Sequence, residues 1–487
     1  MKSVWFLWWS CLSLSAHSSP GVVMRVTQKW LDHIRSEGID VFRHILLYDH
    51  LPDINGSTRA FGQVDYAISK ITVEEFNIPH CTAVPVPLTD VDVTVKDAMT
   101  KVHGEWKVRH WLIHDQGTFD LTLSEVSLAA NLATLKDSSG RPSVSLSACH
   151  SEITKAKLHL SGGASWFYNL FTFLLEKPIR DKINQKLCPR VNEVIAILQK
   201  ELTTFQVTAN LEENSIIDYS LLTPPHVQKT CIDLNLKGTI QHSGALVEQV
   251  PNTAPIQLPD TSSAMVLVGL SEYFFNNLGK SYFMSDTLKL TLNQQQFLDS
   301  YWLKTGDYGS IIPKIKDYYP VSEAMMITIR ATKPPVIHLT SQLSMEMEGH
   351  IEGLVVLPYS ITRKIYSTNV KATLIATSLQ VVDLKLVVSF ALDRFQFSEF
   401  KSEVGYVNVS ELEELLGNSL RESALLAINN GLHGGIPMPA LANITLQDYT
   451  LQITPGCLLA SMDMYYIPWR KLLDILPKHQ SPDHHML

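Results

Sequence analysis

Residues 143–205 read SVSLSACHSEITKAKLHLSGGASWFYNLFTFLLEKPIRDKINQKLCPRVNEVIAILQKELTTF, and the change of period inside this run sets the architecture. It opens with two strand-like runs, Ser143 to Cys149 and Lys155 to Leu160, and turns at Gly162-Gly163. From there apolar residues recur at Trp166, Leu170, Leu174, Ile179, Ile183, Leu187, Val191, Ile195, Leu198 and Leu202, mostly at helical steps. Arg180, Asp181, Lys182, Gln185, Lys186 and Glu193 fill the other face, so the pattern predicts a helix half-sunk on a core. At 1.5 Å per residue it extends roughly 50 Å. Pro178 lacks an N–H and crowds the carbonyl of Leu174, which predicts a kink. Cys149 ends the first strand and Cys188 sits late on the helix, and we expect them to be bonded. Closing a loop of about 40 residues is worth roughly 3–4 kcal/mol in the chain-entropy treatment.

Upstream, Gly21 to Leu47 predicts a first amphipathic helix with Val26, Trp30, Ile34, Val41, Phe42, Ile45 and Leu46 on its apolar stripe. Between the two helices the period is two. Val64, Tyr66 and Ile68 alternate with polar neighbours, as do Val91, Val93 and Val95, then Trp106, Val108 and His110, then Phe119, Leu121 and Leu123, then Val126, Leu128 and Ala130. Gly104, Gln116-Gly117 and Asp137 to Gly140 punctuate these runs, which predicts an antiparallel meander of short strands. Its apolar face needs a cover, and the two helices are available to provide it.

Downstream, residues 221–269 are broken by Pro224-Pro225, Pro251, Pro255 and Pro259 around two strand-like runs, Cys231 to Gly238 and Ala264 to Gly269. The plan then repeats. A helix begins at Ser271, alternating strands run from Ala324 to Phe397, and a helical pattern spans Val409 to Leu432, opened by a capping-box form at Ser410 and Glu413. Helix, meander and long helix occur twice, which points to a duplicated architecture.

The chain of 487 residues is long enough for two or three domains. Its 45% apolar content is that of a globular chain, and its formal charge of −8 argues against general nucleic-acid binding. Met1-Lys2, an apolar run from Val4 to Leu14 and small residues to Ser19 read as a secretory signal peptide over 1–18. The run is too short to span a bilayer, which takes about 20 residues. Export permits disulfides; beyond Cys11 there are five cysteines, an odd number. It also gives meaning to acceptor patterns at Asn55, Asn408 and Asn443, each expected to be exposed if used.

Several stretches resemble one family. Pro20 to Lys29 (PGVVMRVTQK), the Cys149/Cys188 pair around the long helix, Pro224-Pro225, and Gly269 to Asn276 (GLSEYFFN) are similar to bactericidal/permeability-increasing protein and its relatives. Those include lipopolysaccharide-binding, phospholipid transfer and cholesteryl ester transfer proteins, and the chain most resembles the BPI fold-containing group, family C. The likeness covers residues about 20 to 466 in the same order. It implies an α+β fold, an elongated boomerang of two pseudo-repeated barrel-like modules. Each is a twisted antiparallel sheet with long helices, and a central antiparallel sheet joins them. The expected division is a signal peptide (1–18), an N-terminal lipid-binding module (19–220), a central sheet and proline-rich linker (221–269), a C-terminal module (270–466) and a tail (467–487). The family's disulfide matches Cys149–Cys188. The resemblance implies apolar pockets that hold a phospholipid's acyl chains, and the candidate wall residues in the first module, from the apolar stripes of its two helices, are Trp30, Ile34, Phe42, Trp166, Leu170, Leu174 and Ile179.

In the lipopolysaccharide-binding relatives a basic cluster caps the first module. The matching segment here, read as a hairpin from Val95 to His110, keeps Lys96, Lys101, Lys107 and Arg109 but adds Asp97 and Glu105. Over residues 20–230, 21 basic side chains face 24 acidic ones, too few free cations for strong binding of a polyanion. There is no Gly-x-Ser-x-Gly elbow, His-Glu-x-x-His motif or phosphate loop. His110 and His114 share a strand face but have no evident third ligand. The reading is therefore a secreted, non-catalytic lipid-binding protein without a cofactor, with phospholipid or a membrane or lipoprotein surface as its partner. Lipid transfer and binding of bacterial lipopolysaccharide are the alternatives.

Overall fold

The computed structural model describes residues 19–466 apart from 49–50, 59–63, 88–89, 110–113, 165–171, 213–214, 243–255, 261, 294–302, 422–424, 426–428, 430–431, 433 and 443. The segments expected to be signal peptide and tail lie outside it, as do Trp166, Leu170, His110 and Asn443.

The centre is a six-stranded antiparallel sheet drawn from distant parts of the chain. Its order is His226–Val227, Cys231–Leu236, Val22–Thr27, Val266–Ser271, Cys457–Tyr466 and Ile444–Thr454. Val22–Thr27 corrects one expectation, since the first helix was to begin at Gly21. Val22, Val23 and Met24 form a continuous apolar run buried in the sheet, the signature of a strand covered on both faces. The helix α1 starts only at Gln28 and ends at Leu47. Val22–Thr27 and Val266–Ser271 lie side by side, antiparallel, with Val22 opposite Leu270. Each runs directly into a helix, α1 or the later Glu272–Met284, so the two helices leave the sheet in opposite directions.

The N-terminal sheet runs Ile54–Thr58, Val64–Asn77, Asp90–Arg109, His114–Lys136 and Pro142–Ser161. His80–Val86 pairs beyond Val64–Asn77 along Asp90–Arg109. The C-terminal sheet has the same plan. Lys289–Leu292, Ala324–Ala331, Leu343–Leu357, Ile361–Val382 and Lys385–Ser402 follow in order, and Val336–Leu339 pairs beyond Ala324–Ala331 along Leu343–Leu357. The repeat reaches single residues. Gly104 lies opposite Phe119 and Gly353 opposite Tyr366, and a Cβ on either glycine would stand 2.5 or 2.3 Å from the aromatic ring. Gly104 is thus part of a strand, not a break in one.

The strands are much longer than the period suggested. Of the expected hairpin Val95 to His110, the described residues Val95 to Arg109 are part of the single strand Asp90–Arg109, and the runs at 119–123 and 126–132 are one strand. β-bulges explain this. The register between Asp90–Arg109 and His114–Lys136 shifts on both sides of the Ala98–Val126 pair, next to Asp97 and Glu125, whose φ are 57° and 54°. A bulge inserts one residue and resets the alternation without ending the strand, so it looks like a boundary in the sequence.

The second helix, α2, spans Phe173–Leu202 and continues across Pro178 and Pro189. Cys149–Cys188 is bonded, with Cα atoms 5.8 Å apart, and fixes α2 to the strand Pro142–Ser161. The helices α3 (Glu272–Met284) and α4 (Val409–Ser419) serve the second module. The expected capping box at Ser410 and Glu413 is replaced. Asn408 caps α4, and Glu413 accepts from the Phe397 N–H at 2.7 Å instead.

Candidate functional site

Alternation along the strands and helical spacing on their covers together leave an apolar hollow in each module. In the N-terminal module, Val91, Val93 and Val95 point inward and stand opposite Leu132, Ala130 and Leu128 on the next strand. Trp30, Ile34 and Gly38 on α1 and Val191, Val194 and Leu198 on α2 roof them at helical spacing. The floor is one face of the central sheet, with Met24, Val26, Ile232, Leu234 and Val266. The cavity is about 300 Å³, and its lining is almost wholly apolar.

Its two helical walls are held differently. Besides the disulfide, Gln199 on α2 accepts from the Val144 N–H at 2.7 Å and from the Ser143 hydroxyl at 3.1 Å. The helix α1 is tied to the edge strand His80–Val86 by side chains alone. Gln28 donates to the Ala83 carbonyl at 2.8 Å, and Arg35 donates to the Cys81 carbonyl. The Cys81 thiol lines the cavity, and burial pushes its pKa up. Cys231 and Cys457 are also free, and burial pushes Cys457 up to about 11.

The C-terminal cavity, about 480 Å³, repeats the construction. Met345 and Met347 face Leu374 and Ala372 across the ladder, Leu386, Val388 and Phe390 alternate on the next strand, and Phe275, Leu278 and Tyr282 on α3 form the roof. Its charged lining residues are engaged at the surface. Lys289 holds Asp286 at 2.8 Å, and Glu348 holds Lys333 at 2.7 Å.

Of the wall residues named from sequence, Trp30, Ile34 and Phe42 line the N-terminal cavity. Ile179 does not. It is packed in the solid core at the outer part of the module with Ile183 and Leu187. Leu174 lies on α2, but its side chain is outside what is described, as are Trp166 and Leu170. The cavity instead uses the later part of α2, whose Val191, Ile195 and Leu198 continue the same apolar stripe. Periodicity marks the stripe but not where along it packing gives way to space.

Lys96, Lys101, Lys107 and Arg109 all lie exposed on one strand. They stand among acids. Lys101 bonds Glu75 at 2.6 Å and is raised by it, Lys70 bonds Glu105 at 2.7 Å, and Arg109 pairs across the ladder with Asp65. Asn55 is exposed, and Asn408 is half-buried as the α4 cap. Among the described residues no cluster of His, Cys, Asp and Glu could hold a metal ion.

The family model described as "LBP / BPI / CETP family, N-terminal domain" matches residues 31–200, and its C-terminal counterpart matches residues 209–466. The BPI fold-containing family C protein of Homo sapiens is 27% identical over 467 residues, covering 95% of this chain and 92% of that protein. The bactericidal permeability-increasing protein of Sebastes schlegelii is 26% identical over 467 residues, covering 95% and 98%. The lipopolysaccharide-binding protein of Bos taurus is 28% identical over 456 residues, covering 92% and 94%. A crystal structure of lipopolysaccharide binding protein superposes with a TM-score of 0.64 at 27% identity, covering 92% of this chain and 100% of that one.

Proposed function

The chain belongs to the LBP / BPI / CETP family, and on that footing we propose that it is a secreted, non-catalytic lipid-binding protein that holds phospholipid-like acyl chains, one lipid in each cavity. The observation that carries this reading is the pair of apolar hollows of about 300 and 480 Å³. Each methylene moved from water into such a space gains about 0.8 kcal/mol, so tails are retained with few polar contacts. Trp30, Ile34 and Phe42 are the sequence-named residues offered as tail contacts in the first module.

Lipopolysaccharide is the second reading, favoured by the names of two relatives. The cations of this chain weigh against it as the preferred ligand, because Lys70 and Lys101 are already paired with Glu105 and Glu75. A polyanion needs several uncompensated charges on one surface.

The test is uptake by delipidated protein of labelled phosphatidylcholine from vesicles. Saturable retention at a fixed ratio to protein, insensitive to salt, supports the proposal. Lipopolysaccharide binding that is tight at low salt and outcompetes phosphatidylcholine would replace it. Delivery of the label to acceptor vesicles would make the protein a carrier.

A further inference from the structure

The N-terminal cavity carries one cation on its lining among the described residues, Arg35. Its position is unusual for a guanidinium. The side chain lines an apolar hollow on one side and is 29% exposed to solvent on the other, so it stands where the hollow meets water, at the seam between α1 and the edge strand His80–Val86. Guanidinium has five N–H donors. One Nη1 hydrogen goes to the Cys81 carbonyl, and Nη2 approaches Asp32 only to 3.7 Å. Nε is buried and finds no partner. Glu201, the other charged residue on the lining, lies on α2 and repels any anion, so Arg35 is the favourable position for one.

Resting on the lipid-binding reading above, we infer that Arg35 is the head-group anchor of the N-terminal cavity, binding an anionic oxygen acceptor, phosphodiester or carboxylate, of the lipid whose tail fills the hollow. The Nη hydrogens that the Cys81 carbonyl does not take are the donors offered to such an oxygen. Among the described residues the C-terminal cavity shows no equivalent, since its one lining cation, Lys289, is held at the surface by Asp286. Head-group selection therefore resides in the first module.

The test compares three probes built on the oleoyl chain, each on wild type and variant of the full-length chain: dioleoylphosphatidylglycerol, single-chain oleate and uncharged dioleoylglycerol. Arg35→Met keeps the apolar stem and removes the donors. It lowers affinity for at least one anionic probe by about ten-fold, the size expected of a charge-assisted hydrogen bond, and leaves dioleoylglycerol unchanged. Arg35→Lys recovers part of the loss. Loss on phosphatidylglycerol alone identifies the acceptor as phosphodiester, and loss on oleate alone as carboxylate. An equal loss on all three probes would mean that Arg35 only holds α1 in place, and no loss on any would mean that it does not touch the head-group; either result overturns the inference and leaves the lipid-binding reading intact. A wild-type chain that binds none of the three probes overturns the inference, and the phosphatidylcholine uptake above decides the lipid-binding reading separately.

Discussion

Arg25 and Asp233 face each other in the central sheet with side chains only 8% and 11% exposed. The guanidinium bonds both carboxylate oxygens, at 2.7 and 2.8 Å, and Gln228 donates to the same carboxylate at 2.8 Å. Arg25 also donates to the Pro259 carbonyl at 2.9 Å, holding the proline-rich segment across the sheet. The hydrogen bond to Asp233 raises the Arg25 pKa further. Arg25→Met strands a buried carboxylate and costs about 3–5 kcal/mol, whereas Arg25→Met with Asp233→Leu recovers most of it. Urea unfolding of both variants measures this, and a single-variant loss below about 1 kcal/mol, the range of an exposed pair, contradicts it. Asp463 makes a second test by pH. Burial pushes its carboxyl up, but the Lys29 ammonium at 2.6 Å and the Met265 N–H at 2.8 Å outweigh that and hold it below the usual carboxylate range. Its folded pKa lies below the unfolded one. The stability it contributes is therefore complete above about pH 4 and lost as pH falls through the folded value. Asp463→Asn gives a thermal stability profile that is flatter at its acid end; an unchanged acid slope would show that the root of α1 is not held this way.

The elements differ in how firmly they are fixed, and the difference follows from the chemistry of their ties. The helix α2 is bonded covalently to the sheet, while α1 is held by side chains, Gln28, Arg35 and Arg43 reaching strand carbonyls and Lys29 reaching Asp463. Replacing Cys149 and Cys188 together by serine costs roughly 3–4 kcal/mol for a loop of 39 residues. Hydrogen exchange on the intact chain should show α1 opening more readily than the part of α2 around Cys188. The double variant should bring the two together, and equal exchange in the wild type would contradict the assignment. This is also the scale at which sequence was least informative. The disulfide was legible because Cys149 and Cys188 flank a strand-to-helix change. Strand Val22–Thr27 was not, because an unbroken apolar run fits the start of a helix as well as a fully covered strand. Strand lengths were not legible either, since Asp97 and Glu125 sit at bulges that shift the period by one residue.

At the scale of the whole molecule the duplication was legible in the order helix, meander, helix, and the structure carries it down to Gly104/Phe119 and Gly353/Tyr366. The cavities were only partly legible. A stripe such as Val191, Ile195 and Leu198 reads the same whether it meets a packed core or a hollow, and which it meets depends on the curvature of a sheet whose bulges are hidden. The C-terminal wall, with Met345, Met347 and Ala372, could have been found from its alternation but not told from ordinary core. Small residues at the walls offer a direct way to close each hollow. Ala130 faces Val93 in the first and Ala372 faces Met347 in the second, so Ala130→Phe and Ala372→Phe each put a ring in the path of a tail in one. Native mass spectrometry of the protein purified from a secreting eukaryotic host, folded wild type beside both variants, is the measurement that bears most directly on the account. It predicts two lipids per chain in the wild type and one in each variant; a wild-type chain that carries no lipid and takes up none from vesicles would contradict it.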